Sequence, residues 1–88
     1  MHAGKDRTVF FDGQFYLLSP LEYDVFTMLM LYDGEVLSRE KLLRDVWGYL
    51  DDASLSTRSV DMCILRLRNK IGMDRIQTVY GKGYRLVL

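Results

Sequence analysis

The chain predicts an α+β domain in which a hairpin opens, three helices follow and a second hairpin closes. Three observations predict it. Aromatic and β-branched runs, Thr8–Phe11 and Gln14–Leu18, flank Asp12-Gly13. Three stretches of helical periodicity, each with a start or stop signal, occupy the middle. The last runs, Ile76–Tyr80 and Tyr84–Leu88, flank Gly81-Lys82-Gly83.

Asp-Gly between strand-like runs is a two-residue hairpin signal, since a type I′ turn needs positive φ at both positions. Ser19-Pro20-Leu21-Glu22 then starts a helix: Ser19 caps, Pro20 is tolerated at the first helical position, and Glu22 completes a capping box. Leu21, Val25, Met28, Leu29 and Tyr32 follow at one-face spacing, and Asp33-Gly34 ends the run. After Val36-Leu37, Ser38 caps a shorter helix burying Leu42, Leu43, Val46 and Trp47 up to Gly48. Gly48–Ser56 has no period and is expected to be a loop. The third helix runs from near Thr57 to about Ile71, closed by Gly72. With no repeat, low-complexity stretch or linker, residues 8–88 are expected to form one domain behind a disordered or cloning-derived terminus, residues 1–7.

Composition narrows the function classes. An 88-residue chain with 49% apolar residues and one proline suits a single packed domain. The lone Cys63 cannot form an internal disulfide, and no apolar run approaches the roughly 18–20 residues that cross a bilayer. A soluble, reducing, cytoplasmic setting without membrane contact is expected. Catalysis is not. His2, the single histidine, lies in the terminus, Cys63 has no acidic or imidazole partner nearby in sequence, and Asp51-Asp52 lack metal-ligand spacing. No cofactor or metal is expected.

Charge distribution points to a polyanion. The chain is neutral, with 12 basic and 12 acidic residues, but residues 57–88 hold seven basic against two acidic, a net of +5. The remainder carries five basic against ten acidic, a net of −5. A neutral total thus hides a polarity suited to nucleic acid.

On the third helix, Val60, Ile64, Leu67 and Ile71 share one face and form a core stripe. Arg58, Met62, Leu65, Arg66 and Asn69 point roughly the other way. In a major groove, Arg pairs with guanine, Asn with adenine, and apolar side chains meet thymine methyls. Arg68 and Lys70 flank this face, where phosphate contacts are expected. A solvated polar face would carry the same cations, but Met62 and Leu65 opposite the core stripe imply a contact surface for DNA or protein. In the closing hairpin, Lys82 sits between two glycines, and the hydroxyls of Thr78 and Tyr80 suit phosphates. The same glycines would equally serve a plain tight turn. Gly-Lys-Gly alone lacks the spacing of a nucleotide-phosphate loop.

Six ordered blocks cover about residues 8–88: Leu18-Ser-Pro-Leu-Glu-Tyr23, Gly34-Glu-Val-Leu-Ser-Arg-Glu40, Leu42-Leu-Arg-Asp-Val-Trp-Gly48, Thr57-Arg-Ser-Val-Asp61, Leu67-Arg-Asn-Lys-Ile-Gly72 and Ile76-Gln-Thr-Val-Tyr-Gly-Lys-Gly-Tyr-Arg85. In these blocks the chain resembles the winged helix-turn-helix DNA-binding effector domain of OmpR/PhoB-family response regulators. The resemblance implies a three-helix core between an N-terminal hairpin and a C-terminal hairpin wing. It implies a two-component transcription regulator that binds double-stranded promoter DNA at direct repeats, as a tandem homodimer. The third helix would enter the major groove and the wing would meet the minor groove. Arg58, Arg66 and Arg68, with Ser59 in the same matching block, would contact DNA from the third helix. Trp47 would contribute from the end of the second and Thr78 from the wing. Tyr49, Leu50, Asp51, Asp52, Ala53, Ser54 and Leu55 would face RNA polymerase.

The departures are Leu65, Cys63 and Tyr80, where family members often carry a basic residue, a His and an Arg. Each lost cation lowers expected affinity and flattens its salt dependence. The family domain normally begins with two more strands and follows a receiver domain, neither expected in this chain. The alternative function is a winged-helix protein-interaction module with weak or no DNA binding.

Overall fold

The computed structural model describes residues 2–3, 7–48 and 56–87. In chain order they form β1 (His2–Ala3), β2 (Thr8–Phe11), β3 (Gln14–Leu17), α1 (Pro20–Leu31), α2 (Arg39–Trp47), α3 (Thr57–Ile71), β4 (Ile76–Val79) and β5 (Gly83–Leu86). Two antiparallel sheets result, β1-β2-β3 and β4-β5.

The opening hairpin turns as its sequence dictates. Asp12 and Gly13 have φ of 55° and 79°, and Phe11 pairs with Gln14 across them. The expected hairpin has one further strand, because β1 adds to the outer edge of β2, with His2 opposite Phe10. Arg75, in the connection after α3, forms an ion pair with Asp12 and ties this turn to the far end of the chain.

The capping box of α1 is complete. The Glu22 backbone N–H donates to Ser19 Oγ at 3.4 Å, and the Ser19 N–H donates to Glu22 Oε1 at 3.0 Å. The face that α1 buries holds most of the expected one, since Met28 and Tyr32 pack half-buried against the core, but it is turned toward Glu22 and Phe26 and away from Leu21. Val25, Phe26 and Leu29 are fully enclosed and Glu22 is buried with them, whereas Leu21 lies at the surface. Glu22, Val25, Phe26 and Leu29 obey i, i+3, i+4, i+7 spacing, with a charged residue in the first core position. That charge conceals the stripe from a hydrophobicity count. The helix stops at Leu31, and Tyr32, Asp33 and Gly34 make the turn that follows.

Ser38 caps α2 by accepting the Lys41 N–H at 3.0 Å. Of its four expected core residues, Leu42 is fully buried, while Leu43, Val46 and Trp47 pack half-buried against the core. Helix α3 spans the expected residues and buries Val60, Ile64, Leu67 and Ile71, with Cys63 beside them. Both α1 and α2 pack on α3, which is thereby held as the third member of the bundle.

The second sheet docks on the connection between α1 and α2. Leu37 and Tyr84 exchange backbone hydrogen bonds of 2.8 and 3.0 Å. The turn between β4 and β5 is Tyr80-Gly81-Lys82, closed by the Lys82 N–H donating to Val79 O at 2.9 Å. Gly83, expected as a turn residue, is instead a buried strand residue opposite Val79. It is glycine for a different reason: a Cβ there would lie 2.0 Å from Leu37 O, at a φ of 150°.

Candidate nucleic-acid interface

Burying Val60, Ile64, Leu67 and Ile71 forces the opposite side of α3 outward. Arg58, Met62, Leu65, Arg66 and Asn69 are all exposed, and Ser59 is half-buried at their edge. Trp47, at the end of α2, joins this face: it lines a shallow cleft with Leu21, Arg58, Ser59, Met62 and Arg66. Five of the expected DNA-contacting residues therefore border one depression. Leu65 and Asn69 extend the exposed face toward the C-terminal end of α3.

The wing brings a second group together. Tyr80 and Lys82 stand exposed at its tip, and with Thr78 they line a cleft of about 400 Å³ that also meets Arg39 of α2 and Asp61 of α3. Asp61 is the knot of this junction. One carboxylate oxygen accepts Arg39 Nη1 at 2.8 Å, and the other accepts the Tyr84 hydroxyl at 2.6 Å. Burial, reinforced by that Asp61 bond, pushes the Tyr84 phenol up to about 12, so it stays protonated and donates across the physiological range.

Two expected phosphate contacts, Arg68 and Thr78, face each other. Arg68 Nε and Nη2 donate to Ile76 O at 3.0 and 2.7 Å, and Nη2 also donates to Thr78 Oγ1 at 2.8 Å. The guanidinium lies 5.6 Å from the Tyr84 ring centroid. Arg68 is thus a strut between α3 and the wing, a position fixed by the planar fork of its donors. Thr78 accepts from Arg68 through its oxygen, and the bond leaves the hydroxyl proton uncommitted.

Lys70 and Arg66 share a partner that sequence reasoning treated as a cap alone. Lys70 Nζ donates to Glu22 Oε1 at 2.6 Å, and Arg66 Nε lies 3.9 Å from Glu22 Oε2. Burial by itself would raise the Glu22 carboxyl; the Lys70 ammonium and the Ser19 donors outweigh it and hold the group below its usual value. The buried carboxylate anchors the C-terminal half of α3 and offsets part of its charge. Spacing signals only its burial, at position N3 of a helix whose next three-and-four spaced residues, Val25 and Phe26, are core; its partners on α3 carry no local signal. Cys63 is buried beside it. Burial, with the Glu22 charge, pushes its thiol up to about 11, far from the thiolate that reactivity requires.

Arg58 and Lys82 make no ion pair among the described residues, and Arg66 keeps a side chain 55% exposed. The seven loop residues from Tyr49 to Leu55 lie outside the described residues. Among those described, no group of three or more His, Cys, Asp or Glu is placed to hold a metal ion.

A three-helix core whose last helix faces outward beside a hairpin is a winged helix-turn-helix. Its closest packing relations, α1 and α2 against α3 with the wing hinged on Leu37, define that class. The family described as "Transcriptional regulatory protein, C terminal" matches residues 13–86, and the chain belongs to this family, the effector domain of OmpR/PhoB-type regulators. It is 47% identical over 74 residues to the transcriptional regulatory protein CseB of Streptomyces avermitilis, covering 84% of this chain and 31% of that protein. It is 40% identical over 81 residues to BasR of Escherichia coli, covering 92% and 36%. The chain thus spans about a third of the length of these curated relatives.

Solved structures agree. The DNA-binding domain of Bacillus subtilis CssR superposes with a TM-score of 0.80 at 33% identity, covering 98% of both chains. The Klebsiella pneumoniae RstA DNA-binding domain, solved in complex with the RstA box, gives 0.76 at 33% identity, over 92% of this chain and 83% of that one.

Proposed function

We propose that residues 8–88 bind double-stranded promoter DNA sequence-specifically, as the effector domain of a two-component transcription regulator. The observation that carries this reading is the outward face of α3. It offers Arg58, Arg66 and Asn69 to a groove beside an exposed, cationic wing tip. In this arrangement α3 lies in the major groove and base edges meet Arg58, Met62, Leu65, Arg66 and Asn69. Trp47 and Ser59 border the backbone. The wing tip, Tyr80 and Lys82, reaches the minor groove, and the free hydroxyl proton of Thr78 suits a phosphate. Arg68 acts chiefly by holding the wing, and Lys70 contacts phosphate only as far as Glu22 releases it.

Binding as a tandem homodimer on direct repeats, and contact of residues 49–55 with RNA polymerase, are proposed on the family resemblance. So is control by a sensor kinase, which belongs to the full-length regulator. The place of action is the cytoplasm, where the chromosome lies.

The test is a fluorescence-anisotropy titration of the purified chain on duplexes selected from a random library, repeated over a salt series. DNA readout requires an enriched motif and an affinity that falls steeply with salt. Equal, weak binding to every duplex would assign the domain to a protein partner instead.

A further inference from the structure

Two large apolar side chains stand in the middle of the recognition face, and core packing accounts for neither. Met62 is 42% exposed and Leu65 45%. Three positions apart on α3, they form one contiguous surface, while the residues of the opposite stripe, Val60, Ile64 and Leu67, are fully enclosed. Arg58 lies one turn before them, and Arg66 and Asn69 lie beside and beyond them, all exposed. At 1.5 Å per residue, Arg58 to Asn69 spans roughly 16 Å, and the apolar pair falls near its centre.

The borders identify the occupant. A protein-docking patch is ordinarily broader, a few hundred Å² of contiguous apolar surface. Here the apolar surface is Met62 and Leu65, with Leu21 and half-buried Trp47 beside Met62, and Arg58 and Arg66 within the same cleft bring guanidinium groups that suit a polyanion. Among the edges a major groove presents, the one apolar group is the thymine 5-methyl. We infer that Leu65, together with Met62, reads thymine methyl groups, so the centre of each half-site is A·T where these residues face it. The inference rests on the DNA-binding reading and specifies the chemistry of its central contact.

Removing the methyl alone tests it. The duplex selected by the purified chain is compared by anisotropy with copies in which single thymines become deoxyuridine. Replacement at one or two central positions should weaken binding about fourfold each, the weight of one buried methyl group. In Leu65→Ala or Met62→Ala the penalty at the matching position should vanish. Each side chain is a little over half enclosed, so thermal melts are run alongside and affinities are compared at a temperature where every variant is folded. Three results would overturn the inference while leaving DNA binding intact: uridine copies that bind equally, a penalty unchanged in both alanine variants, or a selected centre of G·C pairs. Failure to enrich any sequence, with no steep salt dependence, would overturn both readings.

Discussion

At the scale of single residues, the same kind of side chain serves two purposes, and geometry separates them. Arg66 is exposed and only loosely held, with its Nε 3.9 Å from Glu22, whereas Arg68 is engaged by Ile76 O and Thr78. Arg66→Ala should therefore cost about 1–3 kcal/mol on a cognate duplex and relax preference at one base pair. Uniform weakening on all duplexes would reduce Arg66 to a phosphate contact. Glu22 gives a prediction with a definite sign. Its folded carboxyl sits below the ordinary value of 4.5, so its stabilisation is complete above that value and is lost as pH falls through the depressed folded one. Glu22→Gln keeps an acceptor for the Ser19 N–H but removes the charge. It should cost about 1.5–3 kcal/mol at neutral pH, the range for hydrogen bonds to charged groups. The difference from the parent should shrink as pH falls below 4.5, as followed by urea midpoints across pH. A constant difference at every pH would mean the Lys70 pair contributes nothing. The Ser19–Glu22 box was legible because it is local; the Lys70 bond, 48 positions away, was not. No spacing rule announces that a capping glutamate is also the floor beneath a distant helix.

At the scale of elements, helices were easier to foresee than the junctions between them. The bounds of α3 follow from its apolar stripe and Gly72, and the first hairpin follows from Asp12-Gly13. The exposed face of α3 was legible for the same reason, being the complement of the stripe. The wing's attachment was not legible, because it depends on Leu37 meeting Tyr84 and on Arg68 meeting β4, contacts that arise only after the bundle forms. Two glycines in one hairpin make the distinction measurable. Gly83 sits against Leu37 O, so Gly83→Ala must push the wing off its support or distort α2's entry. A cost of about 3 kcal/mol or more is expected, lowering the melting temperature by roughly 10 °C or more for a domain of this size. Gly81, at φ 76° with open space around its Cβ, should tolerate alanine at about 1–2 kcal/mol, the cost of the left-handed conformation alone. Equal melting shifts in the two variants would refute the assignment of Gly83 to a close approach.

At the scale of the molecule, the charge polarity of the sequence overstates the cations available to DNA. Counting all seven basic residues of positions 57–88 as phosphate contacts would give a slope of log affinity on log salt near −6 per domain, at about −0.9 per contact. Folding withdraws several of them. Lys70 is paired with buried Glu22 and Arg75 with Asp12, while Arg68 is bound to Ile76 O and Arg85 Nε donates to Gln77 Oε1 at 2.6 Å. Arg58, Arg66 and Lys82 remain, two on the α3 face and one on the wing tip, and a guanidinium set in the groove displaces counterions as a phosphate contact does. The slope expected per domain is therefore about −3. Lys82→Ala should bring it to about −2 and weaken binding evenly across sequences, since a phosphate contact carries no base information. These slopes are read from affinities of a single half-site duplex between about 50 and 200 mM salt, with the parent and variant compared side by side. A parent slope near −6 would mean that DNA strips Lys70 and Arg75 from their carboxylates and recruits Arg68 and Arg85 as well. A slope unchanged by Lys82→Ala would leave the wing tip in solvent, with α3 as the whole of the interface.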